Sequence, residues 1–185
     1  MGTVYVFFAN GFEEIEAFTV IDVLRRAGMD VELVSVIEKE EVLGAHDITV
    51  VCDGLFDDYK FDDVELLVLP GGMPGAGTLD KHEGLKALIT KTIAKNKKVA
   101  AICAAPMVLG KLGLLKGKRV TCYPSFEQYM EGATCTGEFV EVDGNIITGN
   151  SPASAMNFSF AIVRELMGED KVEELYEALG TNGWK

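Results

Sequence analysis

A chain of 185 residues with 48% hydrophobic content is long enough to bury one full core and short for two, so one domain spanning residues 1–185 is expected. Its formal net charge of -12 argues against nucleic acid and anionic membranes as partners, because neutralising phosphates takes clustered Lys and Arg. The longest apolar stretch, Val99 to Gly110, has the length of a core strand and half a helix and is too short for a bilayer.

Four cysteines (Cys52, Cys103, Cys122, Cys135) lack CxxC spacing and only two histidines, His46 and His82, accompany them. That pattern predicts free thiols in a reducing compartment and argues against a structural zinc site. The chain enters directly on an apolar run without a basic leader, so it does not read as secreted, and a cytoplasmic location is expected.

In chain order, Thr3 to Ala9 reads as a buried strand, and Asn10-Gly11 turns the chain. A helix follows over Glu13 to Ala27, with Ile15, Phe18, Thr19, Ile21, Val23 and Leu24 along its inner face and Gly28 closing it. Val31 to Val36 is the next strand. Alternation around Gly44 to Asp47 predicts a hairpin of Glu41-Val42-Leu43 with Ile48 to Val51, inserted at a sheet edge.

Leu66 to Leu69 and Lys98 to Ile102 are further buried strands, each followed by a helical stretch. A second hairpin pairs Phe139 to Val142 with Asn145 to Thr148 across Asp143-Gly144. Pro152 opens a helix running to about Met167, and Lys171 to Leu179 forms the last one. Strands alternating with helices predict an α/β doubly wound fold, mostly parallel, with antiparallel additions at the edge and ligands beyond the carboxyl ends of the strands.

Three strand ends carry unusual chemistry. Cys103, between Ile102 and Ala104-Ala105-Pro106, resembles a nucleophile elbow whose small neighbours permit a sharp strand-to-helix turn. A sulfur facing a helix N-terminus should have a lowered pKa; a small buried hydrophobe is the competing reading. Gly71 and Gly72, after Pro70, offer backbone N–H groups to an oxyanion, or are an ordinary turn. Glu13 and Glu14 suit a helix N-terminus. If Ile15 points to the core, Glu16 faces the ligand crevice, where it would share one proton with the thiol.

The segments NGFEEIE, DVLRRAGMDVELVS, LLVLPGGMPGA, VAAICAAPMVL and FAIVREL, in this order and spacing, resemble the ThiJ/PfpI superfamily in its Parkinsonism-associated protein deglycase branch. The resemblance runs essentially end to end. It implies a flavodoxin-like three-layer sandwich of the class I glutamine amidotransferase-like kind and a homodimer. It also implies Glu16 and Cys103 as a proton-sharing pair, with Gly71, Gly72 and Ala104 as backbone donors near the sulfur and Asn10, Tyr123, Pro124 and Pro152 lining the pocket.

The activities it implies are conversion of reactive dicarbonyls such as methylglyoxal, or deglycation, without a metal or organic cofactor. The alternative is a redox-sensing chaperone that works through oxidation of Cys103, and a weaker third is peptide cleavage. Tyr123 stands where members of this branch often carry histidine. Ala104 follows the cysteine where the peptidase branch has histidine, which argues against a Cys-His protease. His46 is expected in an exposed turn, His82 near a helix start, and Cys122 at a buried strand end rather than as a resolving thiol.

Overall fold

A computed structural model describes residues 2–181. Strands β1 (Thr3–Phe8), β2 (Val31–Ser35), β5 (Gly54–Leu55), β6 (Val64–Leu69), β7 (Lys98–Ile102), β10 (Val140–Asp143) and β11 (Ile146–Gly149) form one sheet in the order β10-β11-β7-β6-β1-β2-β5. All neighbours are parallel except β10 with β11. All of β1 is buried, as expected of a strand covered on both faces, whose residues have no solvent side to alternate toward.

Helices α1 (Glu14–Arg26), α5 (Ala155–Met167) and α6 (Glu169–Ala178) pack as one group, and α2 (Gly75–Lys81), α3 (Glu83–Ala94) and α4 (Pro106–Lys111) as the other. β7 lies between α3 and α5. This is the doubly wound α/β architecture expected from the strand–helix alternation, in the flavodoxin-like form that the resemblance implies. Phe7, Phe8, Phe12 and Phe158 are fully buried, and Phe8 meets Phe12 edge-on at 4.8 Å between ring centroids. This packing fixes the turn that leads from β1 toward α1.

The second hairpin forms as anticipated, with Gly144 at φ +65° in its turn and β11 continuing the parallel sheet beside β7. The first departs from expectation. β3 (Glu41–Leu43) and β4 (Thr49–Val51) make their own two-stranded sheet rather than extending the main one. The edge position is taken by β5, which bonds to β2 through Gly54 and Leu55. A further parallel pair, β8 (Arg119–Val120) with β9 (Thr134–Cys135), is unanticipated. Pro152 opens a 3-10 turn, and α5 begins only at Ala155.

Among the described residues no helix is long and apolar enough to cross a membrane.

Candidate functional site

β7 delivers Cys103 at the moment the chain turns. The residue has φ +63°, a left-handed conformation that is uncommon outside glycine and costs of order 1–3 kcal/mol when the surroundings impose it. Those surroundings are visible. The Cys103 N–H donates to Gly149 O at 2.9 Å, extending the β11 ladder by one bond, and its C=O accepts from Tyr123 N at 2.9 Å. Ala101, Ala104 and Ala105 are buried around it. α4 then starts at Pro106.

β6 ends in Pro70-Gly71-Gly72. The Gly71 N–H donates to Glu16 Oε2 at 2.8 Å, and a Cβ at Gly71 would lie 2.6 Å from that oxygen and 2.7 Å from Cys103 Cβ. Only glycine fits between carboxyl and cysteine. Gly72, at φ +88°, and Ala104 present their N–H groups to the Cys103 sulfur. The expected set of donors is therefore divided. Gly72 and Ala104 face the sulfur, while the Gly71 N–H is engaged by Glu16 and is not free for an oxyanion.

Glu16 arrives from the first turn of α1 and is 0% exposed. The expectation that Ile15 points inward fails, because that side chain is 57% exposed. The inner stripe of α1 is Glu16, Ala17, Val20, Ile21, Val23 and Leu24. The carboxyl occupies a core position in the helical repeat, displacing Phe18 and Thr19 to half-buried places.

Burial is the main cause that raises Glu16 from its ordinary 4.5 to about 7, with hydrogen bonds from Cys103 and Gly71 N–H opposing it. Burial also raises Cys103, reinforced by the Glu16 charge and opposed by the Gly72 and Ala104 N–H groups. The lowered thiol pKa expected from a helix N-terminus is thus overturned: α4 has six residues, and desolvation beside a carboxyl outweighs its dipole. Glu16 Oε1 is buried without an N–H or O–H partner, which leaves the sulfur as the group to share its proton. Thiolate and carboxylate do not coexist near neutrality, so the thiolate exists where Glu16 holds the proton.

The other anticipated pocket residues are placed less uniformly. Asn10 is exposed and its Oδ1 accepts from Leu43 N at 3.0 Å, so it holds the β3–β4 hairpin. Tyr123 is 44% exposed, joined to the elbow through its backbone. Pro124 beside it is exposed, and Pro152 is half-buried in the loop after β11.

Glu14, read from sequence as a dipole partner, is buried and accepts from His46 N at 2.7 Å, with His46 Nδ1 2.8 Å from its other oxygen. Burial works against Glu14's charge, but the His46 ring and backbone bonds outweigh it and hold its pKa below 4.5. Gly44, where a Cβ would come within 2.2 Å of Glu14 Oε1, permits this approach. No sequence spacing links Glu14 to His46; only the docking of a separate hairpin does. His82 caps α3 through Nδ1, accepting from Leu85 N at 3.0 Å.

Comparison with known proteins agrees with this geometry. Residues 2–165 match the DJ-1/PfpI family. Protein DJ-1 homolog B of Arabidopsis thaliana is 41% identical over 90% of this chain, and Protein dj-1beta of Drosophila melanogaster is 34% identical over 94% of this chain and 94% of its own length. The chain spans only 39% of the Arabidopsis protein. An oxidized DJ-1 structure from Toxoplasma gondii superposes with a TM-score of 0.92 at 33% identity, covering 97% of this chain and 98% of that one. With the elbow cysteine, the glycine pair and the helix-borne carboxyl in one place, and the likeness extending over nearly the whole chain, this protein belongs to the DJ-1/PfpI family.

Proposed function

We propose that this protein is a cofactor-independent, Cys103-dependent enzyme acting on reactive dicarbonyls, in the manner of a glyoxalase III or a deglycase. The observation that carries the reading is the buried Glu16–Cys103 pair wedged by Gly71. A single proton held between carboxyl and sulfur is what addition to an aldehyde and the following proton transfer need.

For methylglyoxal, the Cys103 sulfur adds to the aldehyde carbon, and Gly72 and Ala104 N–H groups receive the developing oxyanion. Glu16, having released its proton to the new oxygen, removes the hydrogen from that carbon and returns it to the adjacent carbonyl carbon, while the new hydroxyl's proton passes to the neighbouring oxygen through the enediol. The resulting thioester is hydrolysed by water to a hydroxy acid and the free thiol. An adduct of the same aldehyde on a protein or nucleotide entering at the first step gives deglycation.

The test is direct measurement of lactate from methylglyoxal with purified protein, free of added thiol and metal, beside Cys103→Ala and Glu16→Gln. Turnover that disappears in both variants supports the assignment. Turnover retained by Glu16→Gln removes Glu16 from its role, and no product above the Cys103→Ala background removes the enzymatic reading.

One observation favours a second reading, an oxidative-stress sensor. Glu16 Oε1, buried without an N–H or O–H partner, would when protonated donate to an oxygen on an oxidised Cys103 sulfur. Intact mass after peroxide separates the two: a stable gain of two oxygens on Cys103 alone supports it.

Two further expectations belong to the same proposal. The exposed apolar side chains Ile15, Leu43, Ile48 and Val51 stand at the start of α1 and on the hairpin tied to it by Glu14 and His46, and a second copy of this chain covers them in a homodimer. Sedimentation of Val51→Glu as a monomer, against a dimeric parent, tests this. Four free cysteines suit a reducing compartment such as the cytoplasm.

A further inference from the structure

We infer that Cys122 and Cys135 form a reversible disulfide of their own, separate from the chemistry of Cys103. Two features converge on this pair. In the parallel β8–β9 ladder Val120 stands opposite Cys135, and Thr136 N donates to Val120 O at 3.0 Å. Cys122, two residues beyond Val120, therefore emerges on the same side of the ladder as the Cys135 side chain. The two thiols stand close enough on that side for each to perturb the other.

Their exposure differs in the sense that a two-step oxidation requires. Cys135 is exposed and Cys122 buried, so a small peroxide meets Cys135 first. The Cys135 thiolate attacks one peroxide oxygen. The O–O bond breaks, hydroxide leaves and takes up the proton lost when the thiolate formed to give water, and a sulfenic acid remains. The Cys122 sulfur then displaces that hydroxyl as a second water, closing the S–S bond. Two thiols and one hydrogen peroxide give one disulfide and two waters, and an external thiol reverses it.

Burial and the nearby Glu127 charge raise both thiols, so the reaction is slow at neutral pH and accelerates with alkalinity. The bond would close the loop that carries Tyr123, whose N–H donates to the Cys103 C=O. Oxidation at this pair therefore stiffens one wall of the elbow without touching its sulfur.

The experiment treats wild-type protein and Cys103→Ala with a slight excess of hydrogen peroxide and maps peptides without reduction. The expected product, in both proteins and at rates within about twofold, is a Cys122–Cys135 cross-linked peptide two hydrogens lighter than its parts. Two free thiols are lost and dithiothreitol restores them. Cys135→Ser, at an exposed position that folding tolerates, yields no cross-link and leaves Cys122 reduced. Amide exchange over residues 123–134 slows several-fold in the oxidised form.

Sulfinic or sulfonic acid on Cys135 with Cys122 still a thiol, a bond from Cys135 to another molecule, or a cross-link formed only when Cys103 is present would each overturn the inference. Because the Cys103→Ala protein lacks the proposed nucleophile, failure of the dicarbonyl reading leaves this result standing, and the reverse holds as well.

Discussion

Glu16→Gln separates a buried carboxyl that resists ionisation from an ordinary structural glutamate. In the folded protein burial holds Glu16 at about 7 against an ordinary 4.5, and the residue is 0% exposed, so solvent screening does not discount the effect. The folded form keeps this proton when the unfolded chain has lost it. Stability from this group is greatest below about pH 4.5 and falls as pH rises to about 7, by about 3 kcal/mol in all, then levels off. Glutamine fills the same volume and does not titrate.

The variant minus wild-type difference in unfolding free energy should therefore grow by about 2.5 kcal/mol between pH 5 and pH 8.5, whatever its value at pH 5. In urea titrations this is a relative midpoint shift of about 1 M at unchanged slope. A difference constant to within about 0.5 kcal/mol across that range would show that Glu16 is not held protonated by burial, and the proton-sharing pair would fall with it.

Three other outcomes follow from single contacts. Gly71→Ala puts a Cβ within 3 Å of Glu16 Oε2, Cys103 Cβ and Ile102 O, so it should lose about 1–3 kcal/mol of stability and most turnover, read by urea melts and product assay. Cys103→Gly should be more stable than Cys103→Ala by about 1 kcal/mol, since relief of the φ +63° conformation exceeds glycine's entropy cost; thermal melts a few degrees apart in that order check it. Glu14→Gln should speed amide exchange across β3 and β4. In the parent, His46 is raised chiefly by its Glu14 bond and Glu14 is held low. Charge pairing therefore persists from about pH 4.5 to 6.5, weakens as pH rises through the raised His46 value, and hairpin protection follows it.

Much of the scaffold is legible in the sequence because it rests on local rules. Continuous apolar runs mark the buried parallel strands, Asp143-Gly144 marks the second hairpin, and the alanines around Cys103 mark a sharp turn. What escapes depends on distant partners. The phase of α1 is misread because Ile15 outranks Glu16 in hydrophobicity, whereas the site needs the carboxyl inside. The Gly71 N–H cannot be assigned to Glu16 from a sequence separation of 55 residues. The β8–β9 pair has only two residues per strand, too few to show any period. A helix N-terminus suggests a lowered thiol pKa, but the degree of burial that reverses it exists only once the fold closes.

Tyr123 gives the remaining step. Joined to the elbow through its backbone, it offers a half-exposed phenol rather than an imidazole. His46 is engaged by Glu14, and His82 caps α3 with its ring against Phe56. Among the described residues Glu16 is then the group beside Cys103 able to exchange a proton near neutrality. The doubly protonated pair is inert, the singly protonated pair is reactive, and loss of the second proton is pushed far to the alkaline side by burial and the carboxylate charge. The pH dependence of kcat/KM should rise through an apparent pKa of about 7 and then stay level to about pH 10. A cysteine–histidine pair, by contrast, gives a bell with a descending limb. A bell centred near neutrality, or a profile already level at pH 5.5, would show that the proton is carried by a group other than Glu16.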